Sequence, residues 1–264
     1  MEFYKLHGIG NDFIIIDDRN KYLQGRERET AIKLCDRHFG IGADGVLLLR
    51  KSFTADIKMD IYNSDGSYAS MCGNGIRCFA KYVYEMDIVK ESEVKIETGD
   101  GIKTAFLNIE NGIVSSVKIN MGRVTEDNNI IDKPIEANGR KYIINTYHMG
   151  VPHTVIYGNL DSFDVNQGKY IEKMDIFKNG TNVNFIEAIN NNEFKIITYE
   201  RGAGPTLACG TGTCASFYFL NSRGKIGDRA LAHLLRGDLI IEKIGTDIYM
   251  EGPAEISFKG EVKL

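Results

Sequence analysis

Met71-Cys72-Gly73-Asn74-Gly75-Ile76-Arg77-Cys78 is the stretch on which the reading of this chain turns. It leads into Gly75 to Met86, where Ile76, Phe79, Ala80, Tyr82 and Val83 recur at helical spacing. A second tetrad, Cys209-Gly210-Thr211-Gly212, stands 137 residues later and opens another helical segment, Thr211 to Leu220. Two cysteines, each followed by Gly-x-Gly and each beginning a helix, indicate an internal duplication too diverged to show as plain repeats.

Working outward, the rest of the chain is mostly short strands. Phe3 to Leu6, Phe13 to Ile16, Val46 to Leu49 and Ile57 to Tyr62 precede the first tetrad, with a helix expected over Arg28 to Phe39. Asn63-Ser64-Asp65-Gly66 reads as a turn. Val94 to Glu97, Lys103 to Asn108 and Ile113 to Ile119 follow it. The second half repeats the theme: strands at Lys141 to His148, Thr154 to Tyr157, Asn184 to Ala188 and Phe194 to Tyr199, a turn-rich stretch over Arg201 to Pro205, then the second helix. Strands near Ala230 to Leu235, Leu239 to Glu242, Asp247 to Met250 and Glu255 to Phe258 close the chain. The expected organisation is two lobes, 1–118 and 119–264, with the last strand free to return to the first lobe.

Composition narrows the class. The 264 residues correspond to one large domain or two modest ones at about 150 residues per domain. Apolar residues make up 43% and charged residues 26%, as in an ordinary soluble protein. A net charge of −4 argues against a nucleic-acid partner, which calls for a basic face. No apolar run approaches the ~18 residues of a membrane span, and Met1-Glu2-Phe3-Tyr4-Lys5 lacks the pattern of a signal peptide. An odd count of five cysteines fits free thiols in a reducing compartment. Glycine is abundant, 28 against only four prolines, and two of its four clusters carry a cysteine.

A cysteine at a helix start sits beside free backbone N–H groups and the positive end of the helix dipole. Those groups favour thiolate over thiol, bringing a pKa near 8.5 down to roughly 3.5–7.5. The same amides bind a carboxylate, and the flanking glycines let it approach. One such unit supplies a base and a carboxylate cradle together. Two of them acting on one amino acid supply a thiolate to remove the α-proton and a thiol to return one on the opposite face, inverting the centre. Preorganised amides aimed at the enediolate are each worth ~3–4 kcal/mol, by analogy with oxyanion-hole donors. No cofactor and no metal is then required.

Other readings compete. Cys35, Cys78 and Cys214 lie on apolar helical faces and read as core packing. The gaps Cys72 to Cys78 and Cys209 to Cys214 fit a zinc site poorly. Gly40-Ile41-Gly42-Ala43-Asp44-Gly45 satisfies G-x-G-x-x-G but follows a helix and precedes a strand, the reverse of a dinucleotide-binding unit. On local evidence alone Asn63 is a turn residue, His153 a satisfied strand-start histidine, and Arg201 beside Glu200 a solvated pair. Asp65, Arg77 and Asn184 read as a turn residue, a helix-surface charge and a buried hydrogen-bonder.

Seven phrases in order resemble the diaminopimelate epimerase family. They are His7-Gly8-x-Gly10-Asn11-Asp12-Phe13, Asp36-Arg37-x-x-Gly40-Ile41-Gly42-Ala43-Asp44-Gly45, Asn63-Ser64-Asp65-Gly66, the first cysteine stretch, Pro152-His153, Glu200-Arg201-Gly202, and Ala208-Cys209-Gly210-Thr211-Gly212. The resemblance implies an α/β fold of two pseudo-symmetric lobes. Each would be a barrel-like, mostly antiparallel sheet around a central helix, with the active site in the cleft between them. It implies a PLP-independent isomerase of the bacterial cytoplasm that interconverts LL- and meso-diaminopimelate in lysine and peptidoglycan-precursor synthesis, usually as a homodimer. By position, Cys72 and Cys209 would be the acid/base thiols, with His153 and Glu200 supporting them. Gly73, Asn74, Gly210 and Thr211 would hold the reacting carboxylate. Asn11, Asn63, Asn182, Glu200 and Arg201 would contact substrate, Arg201 clamping the distal carboxylate. The chain departs from the family at Val151, where many members have Asn, at Pro205 and at Gly45. Two alternatives stay open: a racemase of histidine, proline or lanthionine, and an amino-acid-binding protein without turnover. A redox-sensing pair of thiols is a third.

Overall fold

A computed structural model describes residues 1–264. The chain divides into two compact units, Met1–Ile119 with Gly252–Leu264, and Asn120–Glu251.

In the first unit β1 (Glu2–Gly8) runs antiparallel to β2 (Asn11–Asp17). Helix α1 (Glu27–Cys35) then crosses over to β3 (Gly45–Arg50), which lies parallel to β2. β4 (Ile57–Asn63) returns antiparallel and makes a short pairing with β5 (Tyr68–Ala69). Next comes α2 (Gly73–Glu85), then β6 (Glu93–Thr98) parallel to β4, β7 (Gly101–Glu110) and β8 (Ile113–Gly122). β3 is buried at every position because its sheet is covered on both faces. Ile14, Ile16, Val46 and Leu48 pack with Ala31 and Leu34 of α1, and the alternate residues, Phe13 and Leu47 among them, turn toward Gly75 of α2.

The second unit begins with β9 (Thr125–Glu126) and β10 (Lys133–Ala137), then β11 (Arg140–Met149) antiparallel to β12 (Val151–Tyr157). A crossover containing the short helix α3 (Gly168–Ile171) leads to β13 (Asn182–Asn190), parallel to β12. β14 (Glu193–Glu200) returns antiparallel and pairs with β15 (Gly204–Thr206). Helix α4 (Gly210–Ser222) follows, then β16 (Arg229–Leu234) parallel to β14, β17 (Gly237–Ile244) and β18 (Asp247–Gly252). Strand for strand, β11 to β18 repeat the pairings of β1 to β8, parallel where those are parallel. The duplication expected from the cysteine tetrads is thus present in the topology. The last strand, β19 (Glu255–Glu261), pairs antiparallel with β1 and belongs to the first unit.

α2 and α4 are each 13 residues long, and each is buried on nearly every side because its own sheet curls around it. α4 packs against β11, β12, β13, β14, β16 and β17. A helix so enclosed has no solvent face, which corrects one expectation. Arg77 is not a helix-surface charge; it is fully buried. Its guanidinium donates to Gly73 O at 3.1 Å, Asn74 Oδ1 at 3.0 Å and Pro253 O at 3.3 Å. Gly8 makes room for it, since a Cβ there would stand 2.9 Å from Nη2. Gly204 and Pro205, expected in the turn-rich stretch Arg201 to Pro205, instead begin the edge pairing with β14.

Candidate active site

Both tetrad cysteines are helix N-caps in extended conformation, with φ/ψ of −145°/118° at Cys72 and −119°/103° at Cys209. The chain therefore enters each helix with a sulfur in the position where a serine or aspartate oxygen usually caps. Gly75 N–H donates to Cys72 Sγ at 3.4 Å, a contact that favours the thiolate. The Thr211 hydroxyl lies 3.7 Å from Cys209 Sγ.

In the first unit the structure brings together Asn11, Cys72, Gly73 and Asn74. Asn11 Oδ1 accepts from Asn74 Nδ2 at 3.1 Å and from the Cys72 thiol at 3.7 Å. Asn11 sits where β1 turns into β2, and its Nδ2 donates to Asp44 Oδ2 at 2.7 Å. Asn63 ends β4 opposite Gly45, and its side chain donates to Ser67 Oγ at 2.9 Å. The turn reading of Asn63 and the site reading are compatible, because Ser64 N–H donates to Asp44 O and ties that turn to the Asn11 corner.

Charge surrounds the same corner. Asp12 lies between Lys5, at 2.6 Å, and Arg37, at 2.7 Å. Burial raises the Asp12 carboxyl, but hydrogen bonds from Arg37 and Lys5 outweigh that and bring it down to about 2.

In the second unit His153 faces Asn182 across the parallel β12–β13 pair and is fully buried. Its Nδ1 lies 3.4 Å from Asn184 Nδ2, and its Nε2 is buried with no hydrogen-bond partner. Burial first, then the charges of His148 and Arg201, depress its pKa to about 3, so the ring is neutral at ordinary pH. A nitrogen accepting from the Asn184 amide leaves the proton on Nε2. Asn184, read as a buried hydrogen-bonder, is that: it also accepts from Thr198 Oγ1 at 3.0 Å. Asn182 bridges two segments, donating to Pro152 O at 3.2 Å and accepting from Arg201 N–H at 2.9 Å. Arg201 Nη1 donates to Asn179 O at 2.6 Å, and Glu200 Oε1 accepts from Thr206 Oγ1 at 2.6 Å.

Cys35 and Cys78 are buried, and burial pushes both thiols up to about 12; Cys214 is fully buried. Asp44 and Arg77 carry contacts that a reading of the sequence missed. The one available signal for Arg77 was that neither Gly73 nor Lys81, four residues away on either side, offers a carboxylate.

Comparison with known proteins defines the class. The chain has the fold of a probable proline racemase from Agrobacterium radiobacter K84, with a TM-score of 0.77 at 17% identity over 100% of this chain and 93% of that one. The sequence pattern described as diaminopimelate epimerase matches residues 3–126 and 146–257. Diaminopimelate epimerase of Clostridium perfringens is 46% identical over 98% of both chains, and that of Methanococcus maripaludis strain S2 / LL is 42% identical over the whole of both. The chain belongs to the diaminopimelate epimerase family and is an isomerase.

Proposed function

We propose that the chain interconverts LL- and meso-diaminopimelate by proton transfer between the substrate α-carbon and two thiols, Cys72 and Cys209. The observation that carries this reading is the repeated unit itself. Two copies of one strand–helix arrangement each start their helix with a cysteine followed by Gly-x-Gly. A thiolate at one helix start takes the α-proton while the thiol at the other delivers a proton to the opposite face. The negative charge that develops on the carboxylate is met by the Gly73, Asn74, Gly210 and Thr211 amides. Proton abstraction and delivery are both supplied by side chains, so no PLP is needed.

Asn11, Asn63, Asn182, Glu200 and Arg201 contact the substrate in this reading, with Arg201 opposite the distal carboxylate. His153, neutral and buried, serves by its fixed Nε2–H rather than by changing charge. The enzyme is then a cytoplasmic homodimer in lysine and peptidoglycan-precursor synthesis; size-exclusion chromatography reads the oligomeric state directly. Cys72→Ser and Cys209→Ser each abolish epimerisation, measured by separating the stereoisomers. Full activity in both variants would reject the scheme.

A second reading, a racemase of another amino acid, is favoured by one position. Phe13 pairs with Gly45 as His153 pairs with Asn182, so Val151 stands where the first unit has Asn11. Turnover of histidine, proline or lanthionine in preference to diaminopimelate would establish it.

A further inference from the structure

Four side chains in the first unit form a hydrogen-bonded row: Arg77 Nη2 to Asn74 Oδ1 at 3.0 Å, Asn74 Nδ2 to Asn11 Oδ1 at 3.1 Å, and Asn11 Nδ2 to Asp44 Oδ2 at 2.7 Å. Its direction is fixed by its ends. A guanidinium has donors only, and a carboxylate has acceptors only. Neither asparagine can therefore turn its amide over without opposing two like groups. Asn11 Oδ1 is held pointing at Cys72 Sγ, 3.7 Å away.

We infer that Asp44 is a positioning residue for the Cys72 thiol, acting through the Asn11 amide. With oxygen facing the sulfur, Asn11 stabilises the protonated thiol. Without Asp44 only the Asn74 Nδ2 donor opposes rotation of the Asn11 amide, and a rotated amide presents a donor, which stabilises the thiolate instead. Both Asp44 carboxylate oxygens are engaged: Oδ2 accepts from Asn11 and from Asp12 N–H at 3.2 Å, and Oδ1 accepts from Arg37 at 2.9 Å. An amide at position 44 would satisfy only one of these sides.

The second unit has no such row. By strand register and helix position, Val151, Thr211 and Cys214 stand in for Asn11, Asn74 and Arg77. None of the three carries an amide or a guanidinium. Cys72 has the Asn11 amide oxygen and the Gly75 N–H beside it, and Cys209 has the Thr211 hydroxyl. The amide oxygen works against the Gly75 N–H, which favours the thiolate at Cys72, and Asp44 holds that oxygen in place.

This inference rests on the two-thiol reading for its role in turnover but is tested apart from it. In a Cys209→Ser background, the pH dependence of iodoacetamide alkylation at Cys72, followed by peptide mapping, gives its thiol pKa with no substrate present. Asp44→Asn is expected to lower that pKa by about one unit, a tenfold rise in thiolate fraction on the acid side. Asp44→Glu, which keeps an acceptor-only end, is expected to restore most of the shift. With Cys209 intact, Asp44→Asn is expected to cut kcat at least tenfold. A Cys72 pKa that is unchanged or raised in folded Asp44→Asn overturns the inference. If Asp44→Asn does not fold, Asn11→Asp, which faces the sulfur with acceptor oxygens only, is expected to raise the pKa, and an unchanged or lowered value overturns it. Failure of the wild-type chain to turn over diaminopimelate would count against the proposed function and leave the titration result standing.

Discussion

At the scale of single residues, the five cysteines separate by environment. Cys35 and Cys78 are pushed to about 12 by burial, whereas Cys72 is half-buried beside an amide donor. Brief alkylation of the native chain at pH 8 is expected to label Cys72 and leave Cys35 and Cys78 unmodified until denaturant is added; mass mapping of the peptides checks it. His153 has a consequence of its own. Its folded pKa of about 3 lies below the ordinary 6.5, so between those values the unfolded chain binds a proton that the folded chain refuses. Stability is therefore lost as pH falls from about 6.5 toward 3, and it is insensitive to this group above 6.5. In His153→Gln, whose side chain does not titrate, unfolding midpoints over that window should fall less steeply than in the parent. Both cysteine tetrads were legible in the sequence because a helix cap is a local feature. The burial of Arg77 was not, since it depends on what surrounds the helix rather than on the helix itself.

Elements carry the next level. α2 and α4 were readable from periodicity and from their glycines, yet periodicity predicts one apolar face where the structure buries almost the whole helix. Another polar residue of α2 is also used inside: Lys81 donates to Val114 O at 2.6 Å and pairs with Glu85 at 2.8 Å. Arg77 closes the first turn of α2 against the Gly252–Leu264 segment through Pro253 O. Arg77→Met is expected to cost about 3 kcal/mol, because it removes the buried guanidinium's donors to Asn74 Oδ1 and Pro253 O; denaturant unfolding measures it. β5, β9, β10 and β15, from two to five residues long, escaped the sequence reading because so short an edge pairing has no period to detect. The G-x-G-x-x-G at Gly40 to Gly45 was correctly set aside: it follows α1, precedes β3 and contains a left-handed turn at Gly42, φ +81°.

For the whole molecule, the two units repeat one order of strand pairings around an enclosed helix, and the tetrads were its clearest trace in the sequence. The division at 118/119 was an expectation drawn from the repeated theme; the return of the final strand was left open, because long-range pairing leaves no local mark. β19 lies along most of β1, from Glu2 opposite Glu261 to His7 opposite Glu255. A chain ending at Gly252 would leave β1 without that neighbour and α2 without the Pro253 carbonyl, and its thermal midpoint should fall by about 5 °C or more in a calorimetric scan. The central claim is that one thiol gives while the other takes, and isotope entry tests it most directly. With LL-diaminopimelate in heavy water under reducing conditions, the first meso product formed should carry one solvent deuterium at the inverted carbon while the remaining LL substrate stays protiated. Deuterium entering the recovered substrate as fast as the product, or product that keeps the original proton, would contradict it.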